Sequence, residues 1–257
     1  MMELKNICKS FQNGLNGETV LFKDFNFSLA TGQFVAVVGS NGSGKTTMLN
    51  LMAGSLLPDR GEILLDGTDI TLNKEFVRSK KIGRVFQDPG KGVAPFMTLA
   101  ENLSLAENKG RPFGLTKGLS KARLNAYRDM VAPIGLGLED KMNVPMGLLS
   151  GGQRQAVSLI MATMVPIELL ILDEHTAALD PKTSDSIMQL TDRIVREKGL
   201  TAIMVTHNLR YAVEYGNRMV MMHDGKIVLD KAGTEKEQTS VNDLLSLFNS
   251  ISIECGN

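Results

Sequence analysis

The sequence predicts an α/β protein with a largely parallel central sheet, an antiparallel β edge and an inserted helical subdomain. Three observations carry that expectation. Short apolar, β-rich runs at residues 34–38, 169–172 and 202–205 have the texture of strands buried on both faces. Helical stretches follow them at residues 45–53, 181–198 and 209–215, and strand-then-helix repetition builds a layered α/β structure. Between residues 88 and 165 the strand signal vanishes, and helical patterns there are broken by glycine-rich loops.

The elements follow in chain order. The first 30 residues read as strands, and residues 61–66 join them as the antiparallel edge. Asp66-Gly67 and Asp224-Gly225 each lie between β-type runs and predict hairpin turns, because such pairs accept positive φ. Residues 219–222 form a methionine-rich strand, and the chain's 15 methionines suit adaptable core packing better than a metal site. After Lys231 the tail ends in an amphipathic stretch, 241–248, expected to pack on the core. The predicted organisation is one domain over 1–257. Residues 1–87 and 166–230 make the α/β core, 88–165 the helical subdomain and 231–257 the C-terminal tail.

Composition bounds the function. A chain of 257 residues can bury a full core, and 43% hydrophobic with 22% charged residues is a globular composition. The 28 basic and 28 acidic side chains cancel, which removes the electrostatic case for a general nucleic-acid binder; no nucleic-acid partner is expected. Cys8 and Cys255, near opposite ends, give neither a disulfide framework nor a metal cluster and suit a reducing compartment. The longest strongly apolar, uncharged stretch, 155–167, is shorter than the ~20 residues that span a bilayer. The N-terminus carries no apolar signal core. Residues 109–128 hold six basic side chains (Lys109, Arg111, Lys117, Lys121, Arg123, Arg128) and no acidic one. They read as a solvated loop and helix face, with anionic lipid headgroups as the second reading, at about 1 kcal/mol per basic residue.

The strongest chemical signal is Gly39-Ser40-Asn41-Gly42-Ser43-Gly44-Lys45-Thr46, which fits G-x-x-x-x-G-K-[ST] at every fixed position between a strand and a helix. Glycines let the backbone wrap phosphate oxygens, Lys45 neutralises charge on them, and the Thr46 hydroxyl suits Mg²⁺. A second element, residues 169–174, is an apolar strand ending in Asp173 and Glu174. Asp173 is placed to hold magnesium, and Glu174 to polarise a water for attack on the terminal phosphate.

The third element is Leu149-Ser150-Gly151-Gly152-Gln153, 16 residues before the acidic strand. It resembles the signature motif of ATP-binding cassette (ABC) ATPases, and the ordered set of motifs extends that resemblance over essentially the whole chain. The resemblance implies a P-loop NTPase (RecA-like) core that binds ATP and Mg²⁺. It implies ATP contacts from the eight loop residues, Thr47, Ser150, Gly151, Gly152, Gln153 and Asp180, with Phe11 placed to stack on adenine. Glu174, His207 and Gln87 take the catalytic roles, and Thr46, Gln87 and Asp173 the metal. Two copies then close head to tail around two Mg-ATP, each using one chain's phosphate loop and the other's signature.

A chain with a single cassette implies a separate transmembrane permease, which holds it at the cytoplasmic face of the membrane. Position 175 is His where most cassettes have Pro, and positions 156 and 161 are Ala and Met where many carry Arg. With residues 83–89 and 215–218, this branch resembles ATPases of amino-acid importers, tryptophan and tyrosine among the candidate substrates, which work with a lipoprotein substrate receptor. An exporter of the lipoprotein or macrolide kind is the alternative, and an ABC protein of translation or DNA repair a more distant one.

Overall fold

A computed structural model describes residues 1–12, 17–111 and 118–254, the last four by backbone alone. In chain order the strands are β1 (Met2–Gln12), β2 (Glu18–Leu29), β3 (Phe34–Gly39), β4 (Arg60–Leu65), β5 (Thr68–Asp69), β6 (Ile82–Val85), β7 (Leu169–Asp173), β8 (Ala202–Val205), β9 (Arg218–His223) and β10 (Lys226–Ala232). The helices are α1 (Lys45–Ala53), α2 (Glu75–Arg78), α3 (Leu99–Glu107), α4 (Lys121–Val131), α5 (Gly151–Thr163), α6 (Pro181–Glu197), α7 (Leu209–Glu214), α8 (Thr234–Glu237) and α9 (Val241–Glu254).

The central sheet has the order β10-β9-β3-β8-β7-β6, parallel except where β10 returns antiparallel along β9. The strands that read as antiparallel edge, in residues 1–30 and 61–66, do not join it. They form a separate sheet of order β2-β1-β4-β5, so the central sheet's own antiparallel edge is β10 alone. The reason is packing. Alternation fixes which face of a strand is apolar, and that face here covers α1 rather than extending the parallel ladder. Both predicted Asp-Gly turns are present: Asp66 and Gly67, like Asp224 and Gly225, have the paired positive φ of a type I′ hairpin.

Two cores result, one on each face of the central sheet. On one face Ala36, Val38, Leu170, Leu172, Met204 and Met221 pack with residues of α3, α5, α6 and α7. Leu244 of α9 is buried there too, with Leu247 and Phe248 half-buried beside it, so the tail packs on the core as its pattern predicts. On the other face Val35, Val37, Ile171, Ile203 and Val205 meet Met48, Leu49 and Met52 of α1, which Leu4, Ile7, Phe22 and Phe27 close over. Period-2 burial on both faces explains why β3, β7 and β8 read as unbroken apolar runs. α1 is thereby clamped between two sheets.

Between β6 and β7 the described chain is helical, with one isolated bridge between Thr98 and Pro145. α3 opens on a capping box, in which the Thr98 hydroxyl accepts from the Glu101 amide and the Glu101 carboxylate accepts from the Thr98 amide. The basic run is less uniform than its sequence suggests. Arg111, Lys121 and Arg128 are exposed, but Lys109 is half-buried, its ammonium donating to the Ile82 carbonyl at 3.4 Å, and Arg123 pairs with Glu107 at 3.6 Å. Lys117 and Cys255 lie outside the described residues. Among the described residues, no helix is long and apolar enough to cross a membrane.

Candidate functional site

The carboxyl end of β3 delivers the chain into the glycine-rich loop. Gly39 has φ 154°, and a Cβ there would collide with the Met222 carbonyl; Gly44, at φ 101°, would drive one to 2.8 Å from the Phe22 ring. Both positions therefore require glycine. Lys45 opens α1 and is buried, its ammonium donating to the carbonyls of Gly39 and Ser40 at 2.8 Å each. Burial pushes that ammonium below the ordinary lysine range, and the nearby Glu174 carboxylate opposes the shift. No side chain caps the N-terminus of α1, and its first turn holds no acid. Its free N–H groups and dipole thus face the loop, an arrangement suited to anions.

Two more strand ends converge here. Glu174 follows β7 at φ 46°, an uncommon conformation for a residue with a Cβ, and its amide donates to the Val205 carbonyl at 3.0 Å. That turn aims the carboxylate at His207, just beyond β8, whose Nε2 donates to Glu174 Oε1 at 2.7 Å. Asp173 Oδ2 accepts instead from Arg84 Nη2 at 2.9 Å.

These groups line two adjoining clefts. One, of about 380 Å³, is walled by Phe11, residues 41–47, Glu174 and His207. The other, of about 840 Å³, is walled among others by Phe11, Thr46, Thr47, Arg84, Gln87 and Asp173. Phe11, Thr46 and Thr47 belong to both. Phe11 is 39% exposed, so the aromatic at this strand end is not a core residue. Thr46, Gln87 and Asp173 offer a hydroxyl, an amide and a carboxylate to one cleft. Such hard oxygen donors suit Mg²⁺ held jointly with phosphates. Among the described residues no group of three His, Cys, Asp or Glu would hold a metal unaided.

The remaining predicted residues lie outside both clefts. Ser150 is the N-cap of α5, in a reciprocal box: its hydroxyl accepts from the Gln153 amide at 3.2 Å, and Gln153 Oε1 accepts from the Ser150 amide at 3.1 Å. Gly152 lets α5 approach α6 closely, since a Cβ there would collide with Thr183, and a Cβ on Gly151 would lie 3.3 Å from Leu179 just before α6. Asp180 caps α6 through the Thr183 amide at 3.1 Å. Ser150 and Asp180 are both exposed, and neither lines the cleft walled by residues 41–47.

Sequence reasoning missed three participants. Arg84 bridges Asp173 to Asn50 Oδ1 of α1 at 2.8 Å. Ser40 Oγ lies 3.3 Å from His223 Nδ1 at the end of β9. Gln155 of α5 is buried and donates to the Phe86 carbonyl at 3.2 Å, just before Gln87. A lone Arg in the apolar strand β6 was the available signal, since a charge there demands a partner.

The family model described as "ABC transporter" matches residues 22–177. The chain is 45% identical over 248 residues to a tyrosine transport ATP-binding protein of Clostridioides difficile (strain R20291), covering 96% of this chain and 98% of that one. It is 37% identical over 235 residues to the macrolide export ATP-binding/permease protein MacB of Campylobacter fetus subsp. fetus (strain 82-40), covering 90% of this chain and 34% of that one. Among solved structures it resembles the dimeric post-hydrolysis state of the ATP-binding cassette MJ0796 bound to ADP and Pi. The TM-score is 0.76 at 31% identity, over 90% of this chain and 98% of that one.

Proposed function

The chain belongs to the ABC transporter family as an ATPase that uses ATP with Mg²⁺, and from that premise we propose that it powers an importer of amino acids of the aromatic class. The observation that carries this reading is the likeness, over nearly the whole of both chains, to a protein named for tyrosine transport. The likeness to a macrolide exporter supports the export alternative more weakly, since it covers only a third of that protein.

The residues take the following roles in this reading. Residues 39–47 cradle the ATP phosphates, Lys45 neutralises them, and Phe11 stacks on the base. Thr46, Gln87 and Asp173 hold Mg²⁺, which supplies charge neutralisation at the phosphate oxygens. Glu174 takes the proton of the attacking water, and His207, bonded to it at 2.7 Å, fixes the carboxylate's direction and senses the terminal phosphate. Catalysis then rests on positioning and charge, as phosphoryl transfer requires.

Ser150 and Asp180 are exposed and line neither cleft of their own chain, and in this reading a second copy brings its Ser150, Gly151, Gly152, Gln153 and Asp180 to the loop. The Gly151 and Gly152 amides, which the capping box does not use, meet the partner-bound phosphate. A separate permease docks against the helical segment 88–165, where Phe96 is 95% exposed. It holds the ATPase at the cytoplasmic face of the membrane, and a lipoprotein receptor delivers substrate from outside.

Affinity purification of the tagged chain from detergent-solubilised native membranes tests the reading. Co-purification of a polytopic permease and a receptor that binds tyrosine or tryptophan is expected. A permease without a receptor would favour export, and ribosomes or nucleic-acid enzymes in its place would overturn transport.

A further inference from the structure

We propose that Arg84 is a built-in counter-cation of the metal site: it sets how tightly Asp173 takes up Mg²⁺ and relays that uptake to the segment before Gln87. The inference deepens the assignment of Asp173 to the metal and rests on it. The Arg84 side chain is only 12% exposed and that of Asp173 13%, so the pair is largely desolvated. Arg84 Nη2 donates to Asp173 Oδ2 at 2.9 Å and to Asn50 Oδ1 at 2.8 Å, and Nη1 reaches Ser55 Oγ at 3.4 Å. Nε is buried without a partner among the described residues. The guanidinium carbon lies over the Phe86 ring, 4.7 Å from its centroid. One side chain thereby touches the phosphate-loop helix, the acidic strand end and the residue before Gln87.

The electrostatics have a definite sign. A divalent cation held by Asp173 meets a fixed positive charge already bonded to the same carboxylate, in a cleft where water screens poorly. Metal uptake must therefore loosen the Arg84–Asp173 bond or tolerate the repulsion, and either weakens binding. The loosened guanidinium keeps its contacts to Asn50 and Phe86, so its displacement is felt at α1 and at the start of the Gln87 segment. Arg84 accordingly makes metal capture depend on the phosphates that arrive with it. Asp173 alone is a poor magnesium ligand while it is neutralised.

The test is a Mg²⁺ titration of the full chain with a fluorescent, non-hydrolysable ATP analogue, read as the half-saturating Mg²⁺ concentration. Arg84→Met should lower that concentration about tenfold, equivalent to ~1.4 kcal/mol. Arg84→Gln, which keeps a hydrogen bond but no charge, must shift it the same way and decides the matter should the Met variant not fold. Arg84→Lys, which retains the charge, should stay within about twofold of the parent. An unchanged or raised half-saturation in both neutral variants overturns the proposal. Asp173→Asn separates the two layers. It should raise half-saturation, and if it does not, the assignment of Asp173 to the metal fails along with this inference. Because the chain has no Trp, Phe86→Trp gives a single reporter for the relay. Its emission should respond to Mg²⁺ with Arg84 present and stay flat with Arg84→Met; the same response in both refutes the relay.

Discussion

Replacing Arg78 by Met will destabilise the protein by about 3 kcal/mol, although Arg78 touches neither cleft. The side chain is 2% exposed, and burial pulls its guanidinium down to about 10, which still leaves it charged at neutral pH. Nη1 donates to the carbonyls of Leu51 and Met52 at 2.6 and 3.0 Å, in the last turn of α1, where helix carbonyls lack intrahelical partners. Nε and Nη2 donate to the carbonyls of Asn73 and Thr71 at 2.8 Å each. Methionine fills most of the volume and donates nothing. Water can reach the Thr71 and Asn73 side of the site, but Leu51 and Met52 are fully buried, and each orphaned carbonyl costs ~1–3 kcal/mol. Relief from burying a charge offsets part of the loss, leaving about 3 kcal/mol. For a domain of this size that lowers the melting temperature by roughly 6–12 °C. Scanning calorimetry at matched concentration reads it directly. A drop below ~2 °C would refute the reasoning that Arg78 anchors the carboxyl end of α1.

Lys45→Ala should abolish measurable ATP binding by titration calorimetry, because the ammonium already sits at the loop carbonyls; unchanged affinity would remove Lys45 from the site. Ser150→Ala removes a helix cap worth about 1 kcal/mol, and ATP turnover should fall far more than a loss of that size explains. Equal loss of stability and rate would make Ser150 structural only. Burial pushes the Tyr127 phenol up to about 12, aided by its bond to Glu107 at 2.6 Å. A phenol raised above its unfolded value of about 10 contributes stability that is intact below pH 10 and lost as pH rises to 12. Melting curves of the parent and of Tyr127→Phe should therefore differ in slope across that window, and parallel curves would contradict the shift.

The parallel sheet was legible because β3, β7 and β8 are buried on both faces, and a strand so placed has no polar positions to obscure it. The phosphate loop was legible because Gly39 and Gly44 have no room for a Cβ, so geometry dictates composition. The separate antiparallel sheet was not, since alternation in residues 1–30 fixes a face and leaves the neighbouring strand unspecified. Neither was the Arg84–Asp173–Asn50 cluster: its members lie far apart in the chain and meet only when β6 pairs with β7 over α1. Lys109 shows the same limit, its place in a basic run concealing a half-buried ammonium.

Glu174 carries the central claim, that hydrolysis occurs at the convergence of the phosphate loop with the ends of β7 and β8. The measurement is phosphate release by Glu174→Gln, with its mass in Mg-ATP followed by size-exclusion chromatography and light scattering. Turnover should fall at least ~100-fold, the scale of a lost general base, while the variant retains Mg-ATP and elutes as a dimer. Turnover close to the parent's, or a variant that stays monomeric with nucleotide bound, would contradict the account.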